Sequence, residues 1–206
     1  IMNANLESEI LFIKKIMNES RKSALDNGKY YILWGVVISI ACFANYFIIK
    51  LGFDFNSNYF WAVCILAGWV TSIYWGYKDS KKTKTYSVGN KTISALWASL
   101  GIAMLVIVVA GKVSGSISYA SISPLIAAVL GVGYFTSGVM YSDKMLKIMA
   151  FCWWGASAVM FNIKGVEVLL ANGIFLLAFQ VIPGLILFSK WRKELSVNND
   201  ITIENA

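Results

Sequence analysis

The 206-residue chain has no histidine, two prolines, three cysteines and few charges, with Asp, Glu, Lys and Arg making up 14% of it. Each scarcity closes a class of chemistry. Without histidine no Ser-His or Cys-His nucleophile pair can be assembled. Cys42, Cys64 and Cys152 all fall in apolar stretches with no CxxC spacing, so neither a zinc site nor a disulfide framework is expected. They read as small packing residues. Two prolines exclude Pro-rich linkers. Soluble domains are about a quarter charged, and a chain this short cannot hide a 58% apolar composition in one aqueous core. No metal ligand set and no cofactor is expected, and the chain is not read as an enzyme.

What is present is length of apolar run. A membrane-crossing helix needs about 20 mostly apolar residues, and six segments qualify: 31–49, 59–77, 93–111, 122–141, 146–163 and 166–189. The runs are continuous rather than alternating, which predicts helices and not a barrel. The expected fold is therefore all-α, a polytopic bundle of six spans over residues 30–190. Residues 1–29 form a cytoplasmic element before it, and residues 191–206 a disordered cytoplasmic tail after it.

The net charge of +7 belongs to topology, not to nucleic acid. Fifteen of the 18 Lys and Arg residues lie in the N-terminal segment, the second and fourth loops and the tail; Lys50, Lys112 and Lys164 stand alone in the other three loops. That alternation places both ends in the cytoplasm of a bacterial inner membrane. Tyr30, Tyr31, Trp34, Tyr74, Trp75, Tyr77, Tyr141 and Trp191 gather near the inner boundary and read as interfacial anchors.

Glu7, Glu9, Lys14, Lys15, Glu19, Arg21, Lys22 and Asp26 interrupt residues 1–29, so no signal peptide is expected there. Instead Leu6, Ile10, Ile13 and Met17 recur at spacings of three and four and predict an amphipathic helix over 6–24. Such a helix lies in the inner interface, packs on the bundle or a second copy, or docks a cytoplasmic protein through residues 6–25.

Each odd-numbered span carries a tryptophan shortly after a cytoplasmic lysine: Lys29 to Trp34, Lys91 to Trp97, Lys147 to Trp153. Thr71-Ser72 before Tyr77 echoes Thr136-Ser137 before Tyr141. Three helical hairpins from a triplication would produce this; so would anchoring rules alone. Small residues at four-residue spacing (Gly68, Ser72, Gly76; Ala95, Ser99, Ala103; Gly35, Ser39; Gly133, Ser137) mark helix contacts.

No span holds an ionisable group between its boundary zones, which weighs against proton relays and acid-dyad proteases. Gly131-Val132-Gly133 sits inside an apolar run, where a phosphate cradle is not expected. The candidate intramembrane polar set is Thr71, Ser72, Thr136, Ser137 and Gln180, all in the inner half of the even spans. Together they would line a wet cavity or hold a neutral headgroup. Alternatively, each hydroxyl bonds its own helix carbonyl and Gln180 bridges two helices. Asp79 and Asp143, both just past even spans, are too sparse an acid set for metal-diphosphate chemistry.

Tyr30-Tyr31-Ile32-Leu33-Trp34-Gly35, Ile73-Tyr74-Trp75-Gly76-Tyr77-Lys78, Lys84-Thr85-Tyr86, Phe135-Thr136-Ser137-Gly138 and Ile182-Pro183-Gly184 resemble stretches of a family of uncharacterised six-span integral membrane proteins of Bacteroidota. The likeness runs from about Asn27 to Lys193, and Val139 stands where that family has a second glycine. The resemblance implies architecture and a bacterial inner membrane, and it carries no activity. Two functional readings remain: a non-enzymatic sensor or scaffold with a cytoplasmic partner, and a small channel or carrier for a neutral solute or lipid.

Overall fold

The computed structural model describes residues 28–82 and 88–204. The amphipathic helix expected over 6–24 lies outside these residues, as do Lys84, Thr85 and Tyr86. Among the described residues every regular element is helical. The elements are α1 Gly28–Lys50, α2 Ser57–Lys82, α3 Val88–Val113, α4 Tyr119–Met140, α5 Lys144–Met160, α6 Glu167–Leu176 and α7 Ile182–Glu204. A π-helical turn, Leu177–Val181, joins α6 to α7 in one rod.

Five of these rods are long and apolar enough to cross a membrane: Gly28–Lys50, Asn58–Lys78, Lys91–Val113, Tyr119–Met140 and Glu167–Lys193. The physical cause is that in hydrocarbon each backbone N–H and C=O must be satisfied within its own segment. α5 is shorter than the run 146–163 suggests. Its 17 residues stop at Met160, where Phe161 and Asn162 turn back onto Ser157 and Val159. Its start is set by Asp143, whose side chain accepts the Leu146 amide at 3.0 Å. Ser142, in the left-handed region at φ 52, makes the tight reversal from α4 possible.

α1 and α4 are the central helices. α4 packs most extensively on α5 and also carries α3, while α1 carries α2 on one side and the α6–α7 rod on the other. α2 and α3 are peripheral, with most of their surface outward. The stripe Ala95, Ser99, Ala103 is exposed, with no helix against it among the described residues. The other small residues do mark seams. A Cβ on Gly28 would fall 2.7 Å from the Gly184 carbonyl oxygen, and one on Gly35 would fall 2.6 Å from Val181 Cγ2. So α1 and α7 cross backbone to backbone.

Pro183-Gly184 does not break the last rod. Pro183 offers no N–H, and its ring displaces the carbonyl four residues back. One wider turn absorbs this: the Ile182 amide bonds Leu177 O, five residues earlier. Beyond it α7 runs as a helix to Glu204. No proline or glycine follows Gly184 to stop it.

Candidate functional site

Tryptophans after lysines organise the interior. Trp34 of α1 lies against α2: its ring covers Gly68, where a Cβ would come within 3.0 Å, and its Nε1 donates to Ser72 Oγ at 3.1 Å. Trp97 of α3 repeats this on α4. Its ring covers Gly133, again at 3.0 Å from a Cβ, and its Nε1 donates to Ser137 Oγ at 3.2 Å. Donor and acceptor are 38 residues apart in the first case and 40 in the second. Each helix supplies a glycine and, one turn on, a serine; the indole fills the groove and spends its only donor.

Trp153 of α5 is placed differently. It is wholly buried, and its Nε1 has no hydrogen-bond partner. Around it five rings interlock: Tyr31 with Tyr134 at 5.0 Å, Tyr31 with Trp97 at 5.7 Å, Trp97 with Tyr134 at 5.8 Å, Tyr134 with Trp153 at 6.4 Å and Trp153 with Phe179 at 6.1 Å. The rings come from α1, α3, α4, α5 and the π turn, so this junction holds most of the bundle together. Edge-to-face and tilted pairs of this kind add roughly 0.5–1.5 kcal/mol each beyond their burial. Tyr31 directs its hydroxyl towards Ser137. Tyr31 and Trp34 are therefore packing residues of the bundle as well as members of the aromatic set near the ends of the helices.

The five polar residues singled out in the sequence do not form one cluster. Thr71 bonds its own helix at Ala67 O, 2.8 Å away. Ser72 belongs to the α1–α2 seam and Ser137 to the α3–α4 seam, each receiving an indole N–H rather than bonding a carbonyl one turn back. Thr136 is half-buried. Gln180, in the π turn, lies over Gly35 of α1 with its Oε1 buried and unpartnered. Tyr134 Oη is likewise buried without a partner, close to the Trp153 indole but out of hydrogen-bond geometry.

Towards the other end, α1 meets α6 through polar contacts. Ser39 Oγ donates to Gly173 O at 3.2 Å, and Asn172 Nδ2 donates to Cys42 Sγ at 3.3 Å. Cys42 is a buried packing residue with a weak acceptor role. Asn45 bonds Ala41 O of its own helix at 2.8 Å. Trp154 covers Gly131 and donates to Ala128 O at 3.2 Å. Gly131 and Gly133 thus make room for two indoles on different faces of α4. Asp143 is engaged as the α5 cap, and among the described residues no three His, Cys, Asp or Glu side chains come together.

Sequence reasoning missed Tyr134 and Trp153 as the centre. The signal was present in the lysine-to-tryptophan spacing combined with the Gly-x-x-x-Ser stripes, read separately as anchors and as packing. Chemically the junction offers rings, hydroxyls and one amide, and no carboxylate or amine. No protein-family model, no curated protein and no solved structure matches this chain.

Proposed function

We propose that the chain is a six-span bacterial inner-membrane protein with both ends cytoplasmic, acting as a non-enzymatic sensor or scaffold for a cytoplasmic partner engaged through residues 6–25. The observation that carries this reading is the filled junction. Across α1, α3, α4, α5 and the π turn, Tyr31, Trp97, Tyr134, Trp153 and Phe179 pack ring on ring. Ser72 and Ser137 are occupied by indole donors. A bundle so filled is suited to hold a shape rather than to pass a solute.

The sixth crossing is α5. Its 17 residues rise about 26 Å, short of the about 30 Å hydrocarbon core by an amount that flanking polar residues and bilayer thinning absorb. Asp143 and Lys144 stand at one end, Asn162 and Lys164 at the other. The matched Trp–Gly–Ser seams of α1–α2 and α3–α4 support a repeated hairpin, with α5 and the α6–α7 rod as the diverged third copy. The resemblance to the Bacteroidota family supports the same architecture.

Reporter fusions after residues 144 and 164 should report opposite sides of the membrane; the same side for both would sink the sixth span. Crosslinking in intact cells should then give one defined adduct with the full chain and none after deletion of residues 6–25. Identical adducts from both would sink the partner assignment.

One observation favours the second reading, a channel or carrier for a neutral solute or lipid. Tyr134 Oη, Trp153 Nε1 and Gln180 Oε1 are buried polar atoms without partners, which a neutral hydrogen-bonding solute would satisfy. Solute flux into liposomes that Gln180→Leu abolishes would promote it over the scaffold.

A further inference from the structure

Trp34, Trp97 and Trp153 each follow a lysine by five or six residues, and the first two spend their indole N–H in the same way. Trp34 donates to Ser72 Oγ at 3.1 Å and Trp97 to Ser137 Oγ at 3.2 Å, each across to the next helix. Trp153 has no such serine. Its side chain is wholly buried and its Nε1 is without a hydrogen-bond partner. An indole N–H can only donate, so what this group lacks is an oxygen.

Beside it stands the Tyr134 hydroxyl, equally buried and equally without a partner. The two rings lie 6.4 Å apart at 41°, and the hydroxyl comes within the influence of the indole without reaching hydrogen-bond geometry. Both side chains are held among rings, Tyr134 against Tyr31 at 5.0 Å and Trp97 at 5.8 Å, Trp153 against Phe179 at 6.1 Å. Next to them the polar atoms of α1, α3 and α4 are already joined. Ser137 receives the Trp97 indole and faces the Tyr31 hydroxyl. The unmet pair is the phenol of α4 and the indole of α5. Two bare polar groups side by side in an interior forfeit the bonds each would make with water.

We propose that one water molecule is bound between Trp153 Nε1 and Tyr134 Oη, its oxygen accepting the indole N–H and one of its protons given to the phenol oxygen. It does at the third tryptophan what the Ser72 and Ser137 hydroxyls do at the first two. Water fits because it accepts and donates at once, and because two hydrogen bonds of about 2.8 Å span atoms that do not bond directly. Fixing one water costs less than leaving both groups bare. A larger neutral molecule would have to part rings that are in contact. The proposal goes beyond the scaffold role and does not rest on it. It also takes from the solute reading two of the three unpartnered atoms that favour it.

The test is a crystal structure of the full chain at a resolution that orders waters, with Tyr134→Phe solved in parallel and both chains unfolded thermally in one detergent. A single density peak should lie within about 3.2 Å of both atoms and be missing from Tyr134→Phe. The Tm of Tyr134→Phe should fall by roughly 2–4 °C, the shift expected for one buried hydrogen bond in a chain of this length. The sign discriminates: removing a hydroxyl that bonds nothing relieves a desolvation cost and raises Tm.

An unchanged or raised Tm would therefore overturn the site. So would a direct bond between Tyr134 Oη and Trp153 Nε1 with no peak between them. Elongated density of an organic molecule at these atoms would replace the water and promote the solute reading. Crosslinking through residues 6–25 is independent of all these outcomes, so the water site can fail while the scaffold reading stands.

Discussion

Replacing Gly131 by alanine tests how tightly the α4–α5 seam is packed. The new Cβ would fall 2.2 Å from Trp154 Nε1, 2.4 Å from Cδ1 and 2.8 Å from Cε2. Such distances force the indole to move. Its displacement disturbs its contacts with Phe135 at 5.8 Å and Phe151 at 5.4 Å. Moving it also gives up its bond to Ala128 O. Overpacking costs about 1–3 kcal/mol and the lost bond about 1 kcal/mol. Against this, alanine in place of glycine returns about 1 kcal/mol of helix propensity. The net is a loss of about 2 kcal/mol, or roughly 4–8 °C in Tm for a chain of this length.

Gly155, one helix turn along α5 from Phe151, is the control, since a Cβ there meets nothing within 4 Å. Gly155→Ala should keep the propensity gain and raise Tm by up to about 4 °C. Thermal unfolding of both variants in one detergent reads the difference directly. In a Trp154→Ala background, the Gly131→Ala penalty should vanish, because the clash partner is gone. Equal shifts for Gly131→Ala and Gly155→Ala, or a penalty that persists without Trp154, would refute the packing argument.

Four further outcomes follow from the same geometry. Ser137→Ala leaves the Trp97 indole N–H unpaired in the interior and should cost about 1–3 kcal/mol, whereas Thr71→Ala should stay within about 0.5 kcal/mol, its hydroxyl being turned to its own helix. The Ser137→Ala loss should be smaller in a Trp97→Phe background than in the native chain, the remainder coming from the Tyr31 hydroxyl that also faces Ser137; strictly additive losses would dissolve the pair. Asp143→Ala removes the α5 cap and should cost about 1 kcal/mol, with Asn restoring most of it; an unchanged Tm would show that the helix start does not depend on Leu146 N–H. Glu167→Gln, which breaks an exposed pair with Lys50 at 2.7 Å, should leave Tm unmoved in detergent at moderate salt.

The helical character and the outlines of five membrane-length rods could be read from hydropathy. Apolar runs bounded by lysines are a one-dimensional property, and in hydrocarbon the backbone has few choices but the helix. Boundaries came close in α1 to α4 for that reason. They failed at α5, where the turn at Phe161 ends the helix inside an apolar run. The glycines of α4 were visible as glycines; that each lay beneath a different tryptophan was not.

Which faces meet was decided only in three dimensions. A span that is apolar all round shows no stripe to distinguish a lipid-facing side from a helix-facing one, because lipid tails and leucines are equivalent solvents for both. Trp153 and Trp69 both sit among apolar neighbours in the sequence, yet one is wholly buried and the other is exposed. Composition settled that these segments are helices. Ring shape, the space left by Gly68, Gly131 and Gly133, and the missing amide of Pro183 settled how they pack.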